Sequence, residues 1–311
     1  MIRLLNLENR QYLMGIAILL VVLHHLAIYG AGRFFYIFEP GRIGVDIFFF
    51  LSSYGCCYSM EKYNLWSFYK RRFQRLFPIY AVFLLCVLAI FYHENSIWER
   101  LITFFTHISG YAVFTEERLI AWYIPATIVL YLFFPLAYRL LLLIKDYYWI
   151  QIVALAFLML FSNKFPIIMN LGLALRLPII FLGMLTYLHI KENKPKMLLL
   201  YVFVIVISFF VKQHFIIAAS VVIPLLLYGL GESDFNFPLK PIVNFLGKYS
   251  LEIYLGQNIA IETMMRRGLF DSMTNKLTIR VIVALLLSAL FSYLLYAVQK
   301  NFWKLFLKTK E

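Results

Sequence analysis

The chain has 311 residues, of which 63% are hydrophobic and 14% charged, against roughly 45–50% and about 25% in globular domains. With a mean hydropathy of +0.80, too few charges remain to cover a soluble surface, and the composition points to a polytopic membrane protein. The net charge of +13 fits basic cytoplasmic loops facing anionic lipid, and no stretch has the polarity and interleaved aromatics of a nucleic-acid surface.

A helix needs about 20 apolar residues to cross the hydrocarbon. On that measure the chain reads as an all-α transmembrane bundle of ten spans, near 13–31, 43–60, 76–92, 120–144, 147–162, 170–190, 197–211, 214–230, 242–262 and 278–298. The first span is too long for a signal-peptide core and reads as a retained helix. The stretch from Ile97 to Phe114 carries Thr103, Thr106, His107, Ser109 and Gly110 and reads as interfacial or re-entrant. With both termini in the cytoplasm, 18 of the 29 Lys and Arg fall inside, which follows the positive-inside rule. The cluster Arg266, Arg267, Lys276 and Arg280 falls outside and counts against it. Residues 1–311 read as one integral-membrane domain with no appended soluble domain.

On the first helix, GIAILLVVLHHLAIYG, His24 and His25 interrupt an apolar run. Intramembrane ionisable groups are costly and face a bundle interior or a wet cavity. His25 lies about 18 Å beyond Leu13 at 1.5 Å per residue, past the midplane of a core about 30 Å thick. The two rings point about 100° apart, so one faces a cavity while the other orients it or packs on a neighbour. The plainer alternative is a pair of hydrogen-bonded core histidines. In GRIGVDIFFFLSSYG, Asp46 enters the second helix; it either orients an imidazole or simply complements the helix dipole. In FYKRRFQRLFP, Arg72 and Arg75 share a helix face beside Lys70 and Arg71. Such a group suits phosphates, with bidentate arginine contacts, or serves only as a topology signal on anionic lipid.

Other groups read as bland. Cys56, Cys57 and Cys86 lie in apolar segments and make no disulfide framework. His93, His107, His189 and His214 make no ligand spacing, and no metal is expected. Glu252 and Glu262 lie about 80° from a shared line, so a catalytic carboxylate pair is not expected.

Together, in this order, the three segments resemble the N-terminal part of the membrane acyltransferase-3 family. In that family helix one carries a basic residue, ten intervening residues and then histidine; here the histidine is His25 and the basic position is Met14. Arg10 lies one turn earlier, about 60° around the helix from His25 where position 14 is about 20° away, and is an imperfect stand-in. GVDIFFFLSSYG resembles the second-helix motif, with Ser53 where glycine is usual, and Arg72, Arg75 and Pro78 match the Arg-x-x-Arg segment. Downstream, AWYIPATIVLYLFFPL resembles the tryptophan-led helix, with Thr127 where many members carry glutamate. RLPIIFLG begins at Arg176, and FLGKYSLEIYLGQN carries Gln257 where histidine is common.

The resemblance implies transfer of an acyl group, commonly acetyl, from cytoplasmic acyl-CoA to a hydroxyl of an envelope polysaccharide or lipid-linked sugar, in a bacterial cytoplasmic membrane. It implies His25 as general base, with His24 or Asp46 orienting it. Arg72 and Arg75, with Arg71 and Arg10, would hold the donor's phosphates. Arg176, Trp122 and Tyr123 would contact the acceptor or the developing oxyanion. Expected partners are acyl-CoA, the sugar acceptor, membrane lipid and a second copy in a homodimer. No nucleophile elbow is present, which favours direct transfer. Two rival readings are a transporter, using the intramembrane ionisable residues as a pathway, and a non-catalytic subunit of a polysaccharide assembly system.

Overall fold

The computed structural model describes residues 7–29, 33–116, 119–161, 171–191, 238–269 and 277–308. A bilayer leaves no water to satisfy backbone groups, so apolar runs must close their hydrogen bonds as helices. Among the described residues there are helices and no strand.

Helix α1, Leu7–Ile28, is followed by a 3-10 segment, Arg33–Arg42, which runs directly into α2, Ile43–Lys62. Then come α3, Leu65–Phe91; α4, Ile97–Ile108; α5, Ala112–Thr115; and α6, Tyr123–Leu143. The described chain continues with α7, Tyr148–Phe161; α8, Leu171–Ala174; α9, Leu177–Lys191; α10, Lys240–Lys248; α11, Ser250–Arg266; and α12, Leu277–Lys308.

Among the described residues six helical stretches are long and apolar enough to cross a membrane: Arg10–Ile28, Ile37–Lys62, Leu65–Phe91, Tyr123–Leu143, Gly172–Ile190 and Ile279–Asn301. Tyr148–Phe161 is a shorter apolar helix. The chain is a multi-pass membrane protein, but the described residues do not reproduce ten spans. The spans expected at 197–211 and 214–230 lie outside them. The span expected over 242–262 is not one helix: α10 ends at Lys248 and α11 starts at Ser250, and Tyr249 between them closes α10 through a backbone bond to Phe245. Helix α3 begins at Leu65 rather than near residue 76, because Asn64 caps it by accepting from the Ser67 amide and its first turns carry the basic segment in helical form.

At 12 residues α4 is about 18 Å long, too short to cross the core. Trp98, Ile102 and Phe105 are exposed on it, as suits a helix lying against lipid at an interface. Ser96 and Glu99 form a reciprocal capping box at its start, and the Ser96 backbone N–H holds the Glu99 carboxyl below its usual range.

The core is built around α1 and α2, which pack against each other; α1 also meets α10 and α11, and α2 meets α9. Close approach depends on missing side chains. A Cβ at Gly44 would stand 2.2 Å from the Ala17 carbonyl oxygen, and one at Gly247 would stand 1.8 Å from that of Gln11. Ile47, Phe49, Phe50, Phe68, Tyr80, Phe83 and Phe134 fill the interior between the helices.

Candidate functional site

Two cavities meet at the centre of this bundle. The first, an arginine cleft of about 50 Å³, is lined by Arg10 and Met14 of α1, Phe48 of α2, Arg72 and Arg75 of α3, and Tyr123, Tyr131 and Tyr254. The second, a histidine cavity of about 580 Å³, is lined by His24 and His25 of α1, Arg42, Val45, Trp122, Arg176 and Asn258. Arg10 and His25 are 15 positions apart on α1, about 22 Å along its axis.

The wall between them is thin. On α2, Val45 lines the histidine cavity and Phe48, one turn on, lines the cleft. On α11, Tyr254 lines the cleft and Asn258 the cavity; Asn258 Nδ2 donates to the Tyr254 carbonyl at 2.7 Å. One turn is about 5 Å. At the start of α6 the division falls between neighbours: Trp122 belongs to the cavity and Tyr123 to the cleft. Tyr123 packs edge-on to Phe49 and Tyr254 at ring distances of 5.0 and 5.5 Å, and its amide donates to the Tyr254 hydroxyl at 3.4 Å. The preceding Ala121 has φ +56°, a left-handed conformation that non-glycine residues adopt at a cost of about 1–3 kcal/mol. It is fully enclosed and turns the chain into α6, so that strain sits at the wall.

In the cleft, Arg72 Nη2 donates to the Gly55 carbonyl at 2.9 Å and its guanidinium lies 5.4 Å from the Tyr131 ring. Arg75 is exposed at the same cleft. Arg10 joins them with its Nε buried and without a hydrogen-bond partner. Arg71 does not line the cleft; its guanidinium stacks 3.8 Å over the Tyr63 ring.

In the histidine cavity the rings of His24 and His25 are 5.7 Å apart. His25 Nδ1 is hydrogen-bonded to the side-chain amide of Gln257. His24 Nδ1 is buried without a hydrogen-bond partner. Asp46 does not orient an imidazole, as one reading of the sequence had it; its carboxylate accepts from Arg176 Nε at 3.1 Å. The reason is geometric: Asp46 lies in the first turn of α2, where the Arg176 guanidinium reaches it from the turn before α9. That guanidinium also lies 5.3 Å from the Trp122 ring, so Arg176 and Trp122 form one wall of the cavity. Sequence reasoning missed Gln257 as a partner of His25, although it marked the position where histidine is common. It also missed Arg42 and Arg266, which line the same cavity, as does Glu262, which entered the sequence reading only in a carboxylate pair that was not expected and as an ionisable residue of a transporter pathway.

Among the described residues no group of three or more His, Cys, Asp or Glu stands ready to hold a metal. Cys56, Cys57 and Cys86 are free.

A bundle of membrane-length helices enclosing a basic cleft, a thin aromatic wall and an imidazole beyond it belongs to an integral-membrane protein with a central polar site. Comparison with known families specifies the class: residues 11–297 match the family described as an acyltransferase domain. The chain belongs to the acyltransferase-3 family and is, by that membership, a membrane acyltransferase. No curated protein matches it, and no solved structure matches it.

Proposed function

We propose that the protein moves an acyl group, acetyl being the natural size, from acyl-CoA to a hydroxyl of an envelope polysaccharide or lipid-linked sugar. The carrying observation is that a three-arginine cleft and a histidine cavity share a wall one helical turn thick. Coenzyme A is a polyanion, and guanidinium groups bind its phosphates bidentately. The cleft, of about 50 Å³, is narrow and lined by three arginines, which suits a slender thioester stem with the phosphates of the nucleotide outside it. The nucleotide therefore lies at the mouth, against Arg72, Arg75 and Arg10, with that mouth on the cytoplasmic side. The larger cavity suits the sugar. Within it His25 removes the proton from the attacking hydroxyl; a neutral imidazole near working pH suits this, and general-base catalysis contributes about 10²–10⁴-fold. Arg176, held between Asp46 and Trp122, offers fixed positive charge to the oxyanion or to an acidic acceptor. The membrane is a bacterial cytoplasmic membrane, and residues 1–311 act as one domain.

The test uses purified protein in detergent with radiolabelled acetyl-CoA and envelope glycan. His25→Ala is expected to elute as wild type does, to bind acetyl-CoA normally by calorimetry, and to transfer nothing. Arg72→Ala with Arg75→Ala is expected to weaken acetyl-CoA binding more than acceptor binding. Full transfer by His25→Ala refutes the base assignment. Absence of any acyl-CoA turnover by wild-type protein, with accumulation of sugar across vesicles, favours a transporter.

A further inference from the structure

Gln257 is 2% exposed and sits on α11 at the level of the wall, between Tyr254 on the cleft side and Asn258 on the cavity side. Its side-chain amide occupies the Nδ1 face of His25, which leaves Nε2 as the ring nitrogen available to the cavity. A carboxamide can offer that nitrogen either an N–H or a carbonyl oxygen. With N–H offered, Nδ1 is the acceptor, the ring proton sits on Nε2, and the imidazole meets the cavity as a donor, unable to take a proton there. Gln257 Oε1 is then buried without a partner. With the carbonyl offered, Nδ1–H donates to Oε1 and Nε2 carries its lone pair into the cavity. Reversal exchanges the two amide atoms, so the tautomer of the ring separates the arrangements.

We infer that Gln257 is a positioning residue that holds His25 in the Nδ1–H tautomer through Oε1, so that Nε2 is the atom that takes the acceptor's proton. The inference rests on the proposed acyl transfer. In that step Nε2 accepts the hydroxyl proton as the oxygen bonds to the thioester carbonyl carbon. The carbon–sulfur bond then breaks, and the proton passes from Nε2 to the departing thiolate, giving the ester and a free thiol. The neutral amide suits the place. His24, Arg42, Arg176 and Arg266 face the same cavity, with Glu262 the one carboxylate among its described lining residues and Asp46 behind Arg176. A carboxylate on Nδ1 would instead favour the imidazolium and draw the base toward permanent protonation.

Three variants and one spectrum test this. Gln257→Leu is expected to lower kcat about 10–100-fold, by analogy with the loss of the outer partner that orients a metal-ligating histidine, with KM for acetyl-CoA unchanged. Gln257→Glu is expected to keep transfer but to move the acidic limb of the kcat/KM profile to higher pH. In ¹⁵N-histidine-labelled protein, with His25→Ala used to assign the signals, wild type should show a protonated Nδ1 and an unprotonated Nε2. A Gln257→Leu protein with wild-type kcat, or a Gln257→Glu protein with an unmoved acidic limb, overturns the positioning role while leaving the base assignment intact. If Gln257→Leu does not fold, the Gln257→Glu profile decides alone. Full activity of His25→Ala overturns the reading underneath.

Discussion

Arg10 and Met14 stand one turn apart on α1 and both line the arginine cleft, so a long guanidinium from the earlier turn reaches the surface that position 14 occupies. The angular mismatch read from the sequence is absorbed by the length of the side chain. Asp46 and Arg176 show the opposite case. Their side chains are 10% and 14% exposed, so each charge depends on the other. Asp46→Ala is expected to cost about 3–5 kcal/mol by stranding a buried guanidinium. Replacing both partners, Asp46→Leu with Arg176→Met, should recover most of that loss in a thermal melt while abolishing acceptor binding. His25, Arg72 and Arg75 were legible from local spacing, because an ionisable residue in an apolar run and two arginines three apart are visible in a few letters. The partners of Asp46 and His25 were not. They lie 130 and 232 positions away in the chain, and nothing in the periodicity of one helix reports which distant helix will face it.

Helix α10 is short, yet it docks on α1 with its backbone almost touching. A Cβ at Gly247 would meet the Gln11 carbonyl oxygen at 1.8 Å, and one at Gly15 would meet the Val243 carbonyl oxygen at 2.0 Å. The obstacle is backbone, which cannot swing aside. Gly247→Ala is therefore expected to cost at least the 1–3 kcal/mol of ordinary overpacking and to lower the melting temperature of the detergent-solubilised protein. Gly268→Ala is an informative control for the clash: a Cβ there meets nothing within 4 Å, and only its φ of +61° resists the change. Apolar length made α1, α2, α6, α9 and α12 readable as spans, whereas the stretch from Ile97 to Phe114 read only as interfacial or re-entrant and holds the short helices α4 and α5. The break at Tyr249 was not, because Gly247, Lys248 and Tyr249 form no strong helix stop in sequence. It exists because α10 must turn its glycine face to α1 while α11 presents Tyr254, Gln257 and Asn258 to the site.

For the whole molecule, the two cavities give the protein two distinct sides. Among the described residues six apolar helices are long enough to cross a membrane, and Arg10 of the cleft and His25 of the cavity stand about 22 Å apart along one of them; on the proposed reading donor and acceptor reach the wall from opposite faces. Reconstituted into sealed vesicles of known orientation, the protein should turn over acetyl-CoA only when it is added on the face where the arginine cleft opens. The acetylated glycan should be recovered only from the other face. Equal turnover from both faces would remove the two-sided arrangement. The family was legible because its motifs are local. The enclosure was not, because α2 and α11 contribute one turn each to the wall and the start of α6 a single peptide bond, and a wall is a property of their assembly.

Tyr123 and Trp122 are joined by a single peptide bond yet belong to different compartments of the protein. On the proposed reading the spent carrier stays in the compartment that can recharge it, and a two-carbon fragment is the whole of the traffic. With the donor and the acceptor each held on its own side of that peptide bond, neither a nucleotide nor a sugar chain would have to be flipped, and the bilayer's permeability barrier would stay intact.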